Sequence, residues 1–155
     1  MIPRGALLVV GLWWLACCDA ALKVTVLGGT GFVGSRVCKI LVGAGAEVTS
    51  VSKSGAVPDW ASAEEWTGKV QWRAVDLLSA DEAAIDTAMG SPGSVISCVG
   101  VVDPSAQKLL DGNGKANIKG FASARRAGVK RAVYVSVGSE VAACEENWLP
   151  FAKDE

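Results

Sequence analysis

A chain of 155 residues, 50% of them apolar and 20% charged, is long enough for one globular domain with its own core and too short for two. Its net charge of −1 provides no basic surface for nucleic acid, and the absence of histidine excludes zinc-hydrolase and Ser-His-Asp chemistry. The five cysteines, Cys17, Cys18, Cys38, Cys98 and Cys144, form no C-x-x-C pair and read as buried or incidental thiols.

Residues 1–20 read as a targeting segment. Arg4 precedes an uncharged run from Gly5 to Cys18, and Cys18-Asp19-Ala20 has the small-x-small form of a cleavage site, the grammar of a secretory signal peptide. The run is shorter than the ~20 residues a bilayer span requires, so no stable membrane span is expected. Residues 21–155 are then the folded domain. Its first strand is Lys23 to Leu27, followed by a helix from about Gly31 to Val42 with Val33, Val37, Ile40 and Leu41 as its apolar stripe. The second strand is Glu47 to Val51. Residues 52–69, with Pro58, Trp60 and Trp66, read as a loop containing one short helical turn.

The third strand is Val70 to Val75, and Ser79 with Glu82 forms a capping box that opens the next helix, which ends near Gly90. Ser94 to Val99 is a near-continuous apolar strand suited to burial on both faces. A long helical region from Ser105 to Ala127, interrupted by Gly112 and Gly114, ends at Gly128 and leads to a fifth strand, Arg131 to Val137. Strands alternating with helices predict an α/β fold with a doubly wound parallel sheet, the Rossmann arrangement, of about five strands.

The run Leu27-Gly28-Gly29-Thr30-Gly31-Phe32-Val33-Gly34 follows a strand and opens a helix, the context in which spaced glycines bind a dinucleotide. Gly28 allows the tight turn, Gly31 lets the main chain approach a pyrophosphate, and Gly34 lets helix and strand pack closely. Amides at the helix start then hold the phosphates. NAD-binding folds place a carboxylate at the end of the second strand, ~20 residues past the glycines. Here Ser50, Ser52, Lys53 and Ser54 stand there, which favours NADP(H), with NAD(H) the alternative. Asp76 and Leu77 end the third strand, Asp76 being placed to bond the adenine amino group or to form a turn, and the small residues after the fourth leave room for a ribose. The expected cofactor contacts are Gly28, Thr30, Gly31, Phe32, Val33, Gly34, Ser52, Lys53, Asp76, Leu77, Cys98, Val99 and Gly100.

With Val26 to Gly34, Ser50-Val51-Ser52-Lys53-Ser54-Gly55, Ser94 to Gly100, Asn113-Gly114-Lys115-Ala116-Asn117 and Gly128 to Ser136 in order, residues 22–150 resemble an atypical short-chain dehydrogenase/reductase of the NAD-dependent epimerase/dehydratase type. Within it they are most similar to a branch holding an accessory subunit of NADH-ubiquinone oxidoreductase and related ubiquinone-biosynthesis and plastid proteins. The resemblance implies that Gly28, Gly31, Gly34, Lys53, Asp76 and Val99 line the cofactor, and that Asn117 steadies the active-site region. It also implies protein partners in an organellar assembly, and a mitochondrion or plastid as the alternative to the secretory route. Active members use Tyr-x-x-x-Lys; this chain has only Tyr134, with Gly138 four residues on, inside a strand where it reads as core. Ser136, Ser139 and Asn117 are the remaining catalytic candidates, and the sixth strand and substrate-binding part of the family are expected to be absent. The resemblance therefore implies a dinucleotide-binding domain that is oxidoreductase or epimerase-like when complete and inactive as it stands, or else a non-catalytic accessory subunit.

Overall fold

A computed structural model describes residues 21–136. Five strands, β1 (Lys23–Leu27), β2 (Glu47–Ser52), β3 (Val70–Ala74), β4 (Ser94–Ser97) and β5 (Arg131–Tyr134), form one sheet in the order β3-β2-β1-β4-β5. Every pairing is parallel, with Val26 of β1 opposite Ser50 of β2 and Ile96 of β4. The chain runs outward from β1 to β3 and then crosses back to β4, so the sheet is doubly wound, as expected. Its switch point is the β1–β4 pair, where crossovers depart in opposite directions and leave a crevice beyond the strand ends.

Strand alternation distributes the core between two faces. Val24 and Val26 of β1 pack with Val48, Val70, Cys38 and Trp66 under α1 (Phe32–Gly43). Leu27 points the other way, into a cluster with Val51, Val95, Ile85, Met89 and Ala124 under α2 (Glu82–Met89) and α4 (Ala116–Arg126). Thr25 shares that second face, and its buried hydroxyl donates to the Met89 carbonyl at 3.0 Å, closing the end of α2 against the sheet.

Several local expectations are corrected. The buried face of α1 is Gly34, Ser35 and Cys38, while Ile40 is 71% exposed and Val33 also faces outward. Gly34 brings this helix so close to the β1 turn that small residues make the closest contact, while Val37 and Leu41 of the expected stripe pack beside it, half-buried. The N-cap of α2 is Asp81, whose carboxylate accepts from the Ala84 amide at 2.7 Å; Ser79 lies two residues too early. Between β2 and β3 stand two 3₁₀ turns, Asp59–Ala61 and Glu65–Lys69, instead of one. Their Trp60 and Trp66 lie against one another at 6.1 Å, and Trp66 shields the outer face of the sheet. The long helical region divides into α3 (Ala106–Leu109), a π-helical turn over Leu110–Lys115, and α4.

β4 ends at Ser97, so Cys98 and Val99 lie in the loop beyond it, and the strand alternates buried with half-buried residues. β5 is exposed along its whole length. Tyr134 is 43% exposed, with its ring edge-on to Phe121, and is not a core residue. No helix among the described residues is long and apolar enough to cross a membrane. The targeting segment, Cys17, Cys18, Cys144 and Ser139 lie outside the described residues.

Candidate functional site

The turn after β1 is built around two close approaches to backbone, at Gly28 and Gly34, with Gly29 pressed in addition against the Ser50 side chain. Gly28 has a φ of 76°, a left-handed conformation that side chains resist, and a Cβ there would stand 3.0 Å from the Cys98 carbonyl. At Gly34 a Cβ would lie 2.2 Å from the Gly28 carbonyl oxygen. Gly31 differs from both. Its φ of −72° suits any residue, and a Cβ would meet only the Gly28 oxygen, at 3.3 Å. Its missing side chain spares a tight contact with that one oxygen and otherwise leaves open space.

Helix α1 begins at that opening without a side-chain cap and without an acidic residue in its first turn. Among the described residues, the Phe32 and Val33 amides meet no acceptor. Uncapped amides at the positive end of the helix dipole form a seat for an anion. Phe32 itself faces solvent, and the Arg36 guanidinium lies over its ring at 3.7 Å.

An open cleft of about 290 Å³ runs across the strand ends from this seat. One wall is Lys53, Asp76, Leu77 and Leu78, from the loops after β2 and β3; the other is Cys98 to Val101, after β4, with Gly112 and Ala116 beneath. Of the thirteen expected contacts, Gly28, Thr30, Gly31, Ser52, Lys53, Asp76, Leu77, Cys98, Val99 and Gly100 line it. Phe32, Val33 and Gly34 do not; the first two lie on the opening turn of α1, and Gly34 is beneath it.

At one corner the tertiary structure supplies what the sequence lacked. Asp76, from the loop after β3, stands 3.1 Å from Lys53 Nζ, so a carboxylate occupies the β2 corner although β2 contributes none. The Leu78 amide, and then Lys53, hold the Asp76 carboxyl below its ordinary range. The serines of this corner have local duties. Ser50 is fully buried, and Ser52 and Ser54 accept from the Gly55 and Ala56 amides at 3.1 and 3.3 Å, as turn formers do.

Asn117 is 5% exposed and its amide is fully employed. It accepts from the Ser97 hydroxyl at 2.5 Å and donates to the carbonyls of Val99 and Asn113 at 3.1 and 3.0 Å. It holds the end of β4 and has no free atom for a substrate. Ser136 is exposed two residues beyond β5 and is not part of the cleft lining. Ordering of the second wall by Asn113, which also grips Val101, was missed by the sequence reading; an asparagine just before a helix carries no local signal that distinguishes it from a solvated turn.

The sequence profile described as the NAD dependent epimerase/dehydratase family matches residues 24–155. The uncharacterized chloroplastic protein At1g32220 of Arabidopsis thaliana is 35% identical over 117 residues, 74% of this chain and 36% of its own. MIOREX complex component 2 of Saccharomyces cerevisiae is 41% identical over 61 residues, 38% of this chain and 22% of its own. Among solved structures, the epimerase Mth375 of Methanothermobacter thermautotrophicus superposes with a TM-score of 0.64 at 27% identity, over 76% of this chain and 36% of that one. The chain thus spans little more than a third of the length of the first relative. These relatives are a plastid protein, a MIOREX component and an epimerase, and none is named as the accessory subunit expected from the sequence.

Proposed function

The chain belongs to the NAD dependent epimerase/dehydratase family, and from that premise we propose that its cleft binds an adenine dinucleotide, with the pyrophosphate on the opening turn of α1. The observation that carries this reading is the uncapped, carboxylate-free start of α1 facing the space left by Gly31. The apolar walls Leu77-Leu78 and Val99-Gly100-Val101 offer faces for an adenine ring, and Asp76 stands where a ribose hydroxyl or the adenine amino group would donate.

Lys53 and Asp76 favour different cofactors. The Lys53 side chain is 80% exposed, and an exposed ion pair is worth ~0–1 kcal/mol, so it can leave Asp76 for a doubly charged 2′-phosphate. Asp76 is held by the Leu78 amide and stays. The reading is therefore NADP(H) over NAD(H). Titrating the chain with NADPH and NADH by calorimetry tests both parts: no heat from either removes the dinucleotide reading, and tighter NADH returns Lys53 to its ion pair.

Full-length members of this kind would act as oxidoreductases or epimerases, with residues 21–155 as the cofactor-binding part. The chain as given lacks Tyr-x-x-x-Lys, so binding without turnover is expected of it. The similarity to a complex component supports a second reading, a non-catalytic nucleotide-binding subunit of an organellar assembly, related to the accessory-subunit branch. A chloroplastic relative supports a plastid, or by the family resemblance a mitochondrion, as the destination of residues 1–20, in place of the secretory route. Fusing residues 1–20 to a fluorescent protein separates the destinations.

A further inference from the structure

Both walls of the cleft are tied back to one stretch of chain, the π-helical turn and α4. Asn113, inside the π turn, accepts from the Val101 amide at 2.8 Å and donates to the Val101 carbonyl at 3.1 Å. It thus pairs with Val101 as a neighbouring strand would, at a point where the loop after β4 has no strand beside it. The fit is close. A Cβ on Gly112 would lie 2.6 Å from a Val101 methyl, and one on Gly100 would lie 3.1 Å from Asn113 Oδ1. Six residues further on, the Lys119 ammonium donates to the carbonyls of Leu78 and Ala80 at 2.7 and 3.2 Å, holding the opposite wall.

Resting on the reading of the cleft as an adenine dinucleotide site, we propose that Asn113 is a positioning residue that sets the width of the adenine slot, with Lys119 as its counterpart on the facing wall. Asn113 touches no part of the ligand. It fixes Val101, and through Val101 the distance from the Val99-Gly100-Val101 wall to Leu77-Leu78. π turns recur where a side chain must be set in a register that a regular helix cannot supply, and this one places Asn113 against Val101 while Asn117, one turn on, holds Val99. Two side chains four residues apart therefore brace the same three-residue wall.

The specific consequence is base selectivity. A cleft whose two walls are both fixed from α4 and the π turn is expected to accept the adenine of NADP and to disfavour its 1,N6-etheno analogue, whose base carries an additional fused ring. Dissociation constants of the two are measured on the full chain for the wild type, Asn113→Ala, Asn113→Asp and Lys119→Met. Loss of the Asn113 hydrogen bonds is expected to weaken NADP about fivefold. The etheno analogue should be unaffected or bind more tightly, so that the ratio between the two shrinks. Asn113→Asp keeps an acceptor for the Val101 amide but sets a carboxylate oxygen against the Val101 carbonyl, and should shift the ratio at least as far as Asn113→Ala. Lys119→Met, acting from the other wall, should shift the ratio in the same direction.

An equal loss for both ligands would show a purely structural role and overturn the proposal, as would a ratio unchanged in every variant. If Asn113→Ala does not fold, Asn113→Asp and Lys119→Met carry the test by themselves. A wild type that binds neither nucleotide removes the cofactor reading, and this inference with it; a wild type that binds with variants that do not change the ratio removes only this inference.

Discussion

Gly31 and Gly34 sit three residues apart in one turn, but a side chain would do different damage at each. A methyl at Gly34 collides with the Gly28 carbonyl at 2.2 Å, so Gly34→Ala forces backbone apart and is expected to destabilise the domain by roughly 1–3 kcal/mol. Gly31→Val meets no comparable obstacle within the protein. It should lower the melting temperature less than Gly34→Ala does, while filling the phosphate seat and abolishing NADPH binding in calorimetry; unchanged affinity would place the pyrophosphate elsewhere. Cys38 is a second residue with a defined expectation. Burial first, and the charge of Cys98 second, push its thiol up to about 12 from an unfolded value of 9.0. A raised folded value means that the unfolded chain ionises first, so this contribution to stability is complete below the unfolded value and declines as pH rises towards the folded one. Denaturant melts at rising alkaline pH should show that decline, and native Cys38 should resist thiol reagents at neutral pH.

At the level of elements, α2 provides a direct comparison between a cap read from a motif and the cap that forms. Asp81→Ala removes the acceptor of the Ala84 amide and should cost about 1 kcal/mol, read as a fall of several degrees in the melting temperature. Ser79→Ala should change it far less, because Ser79 stands before the helix and does not cap it. The S-x-x-E pattern was present, but Asp81, a charged acceptor two residues later, won the position. Helix α1 presents the opposite case, since its N-cap, Gly31, offers no side-chain acceptor to the opening amides.

At the scale of the whole molecule, the carboxyls whose values are shifted among the described residues are all shifted downward. Asp76, Asp86, Asp103, Asp111 and Glu64 all have lowered values, through the Leu78 amide, Arg126, the Ser105 amide, Lys115 and Lys39 respectively. Carboxyls lowered in the folded state contribute stability above their unfolded values of 3.8 or 4.5, and lose it as pH falls through the folded ones. With no histidine to titrate near neutrality, the melting temperature should be level between about pH 5 and 8 and fall steeply below about pH 4. A decline beginning near pH 6 would contradict this assignment.

The five strands, their parallel sense and the glycine turn could be read from the chain alone, because apolar alternation and glycine spacing act over a few neighbouring residues and each specifies its own stretch of backbone. Gly28, Gly31 and Gly34 were legible for that reason. The Lys53–Asp76 pair, the grip of Asn113 on Val101 and the exposure of Tyr134 were not. Each depends on which loop or helix lies beside which, and that follows from the order β3-β2-β1-β4-β5 and the depth to which each helix settles on the sheet. Local pattern sets the elements; only the packing of distant segments against one another places a carboxylate at the β2 corner and braces the two walls of the cleft.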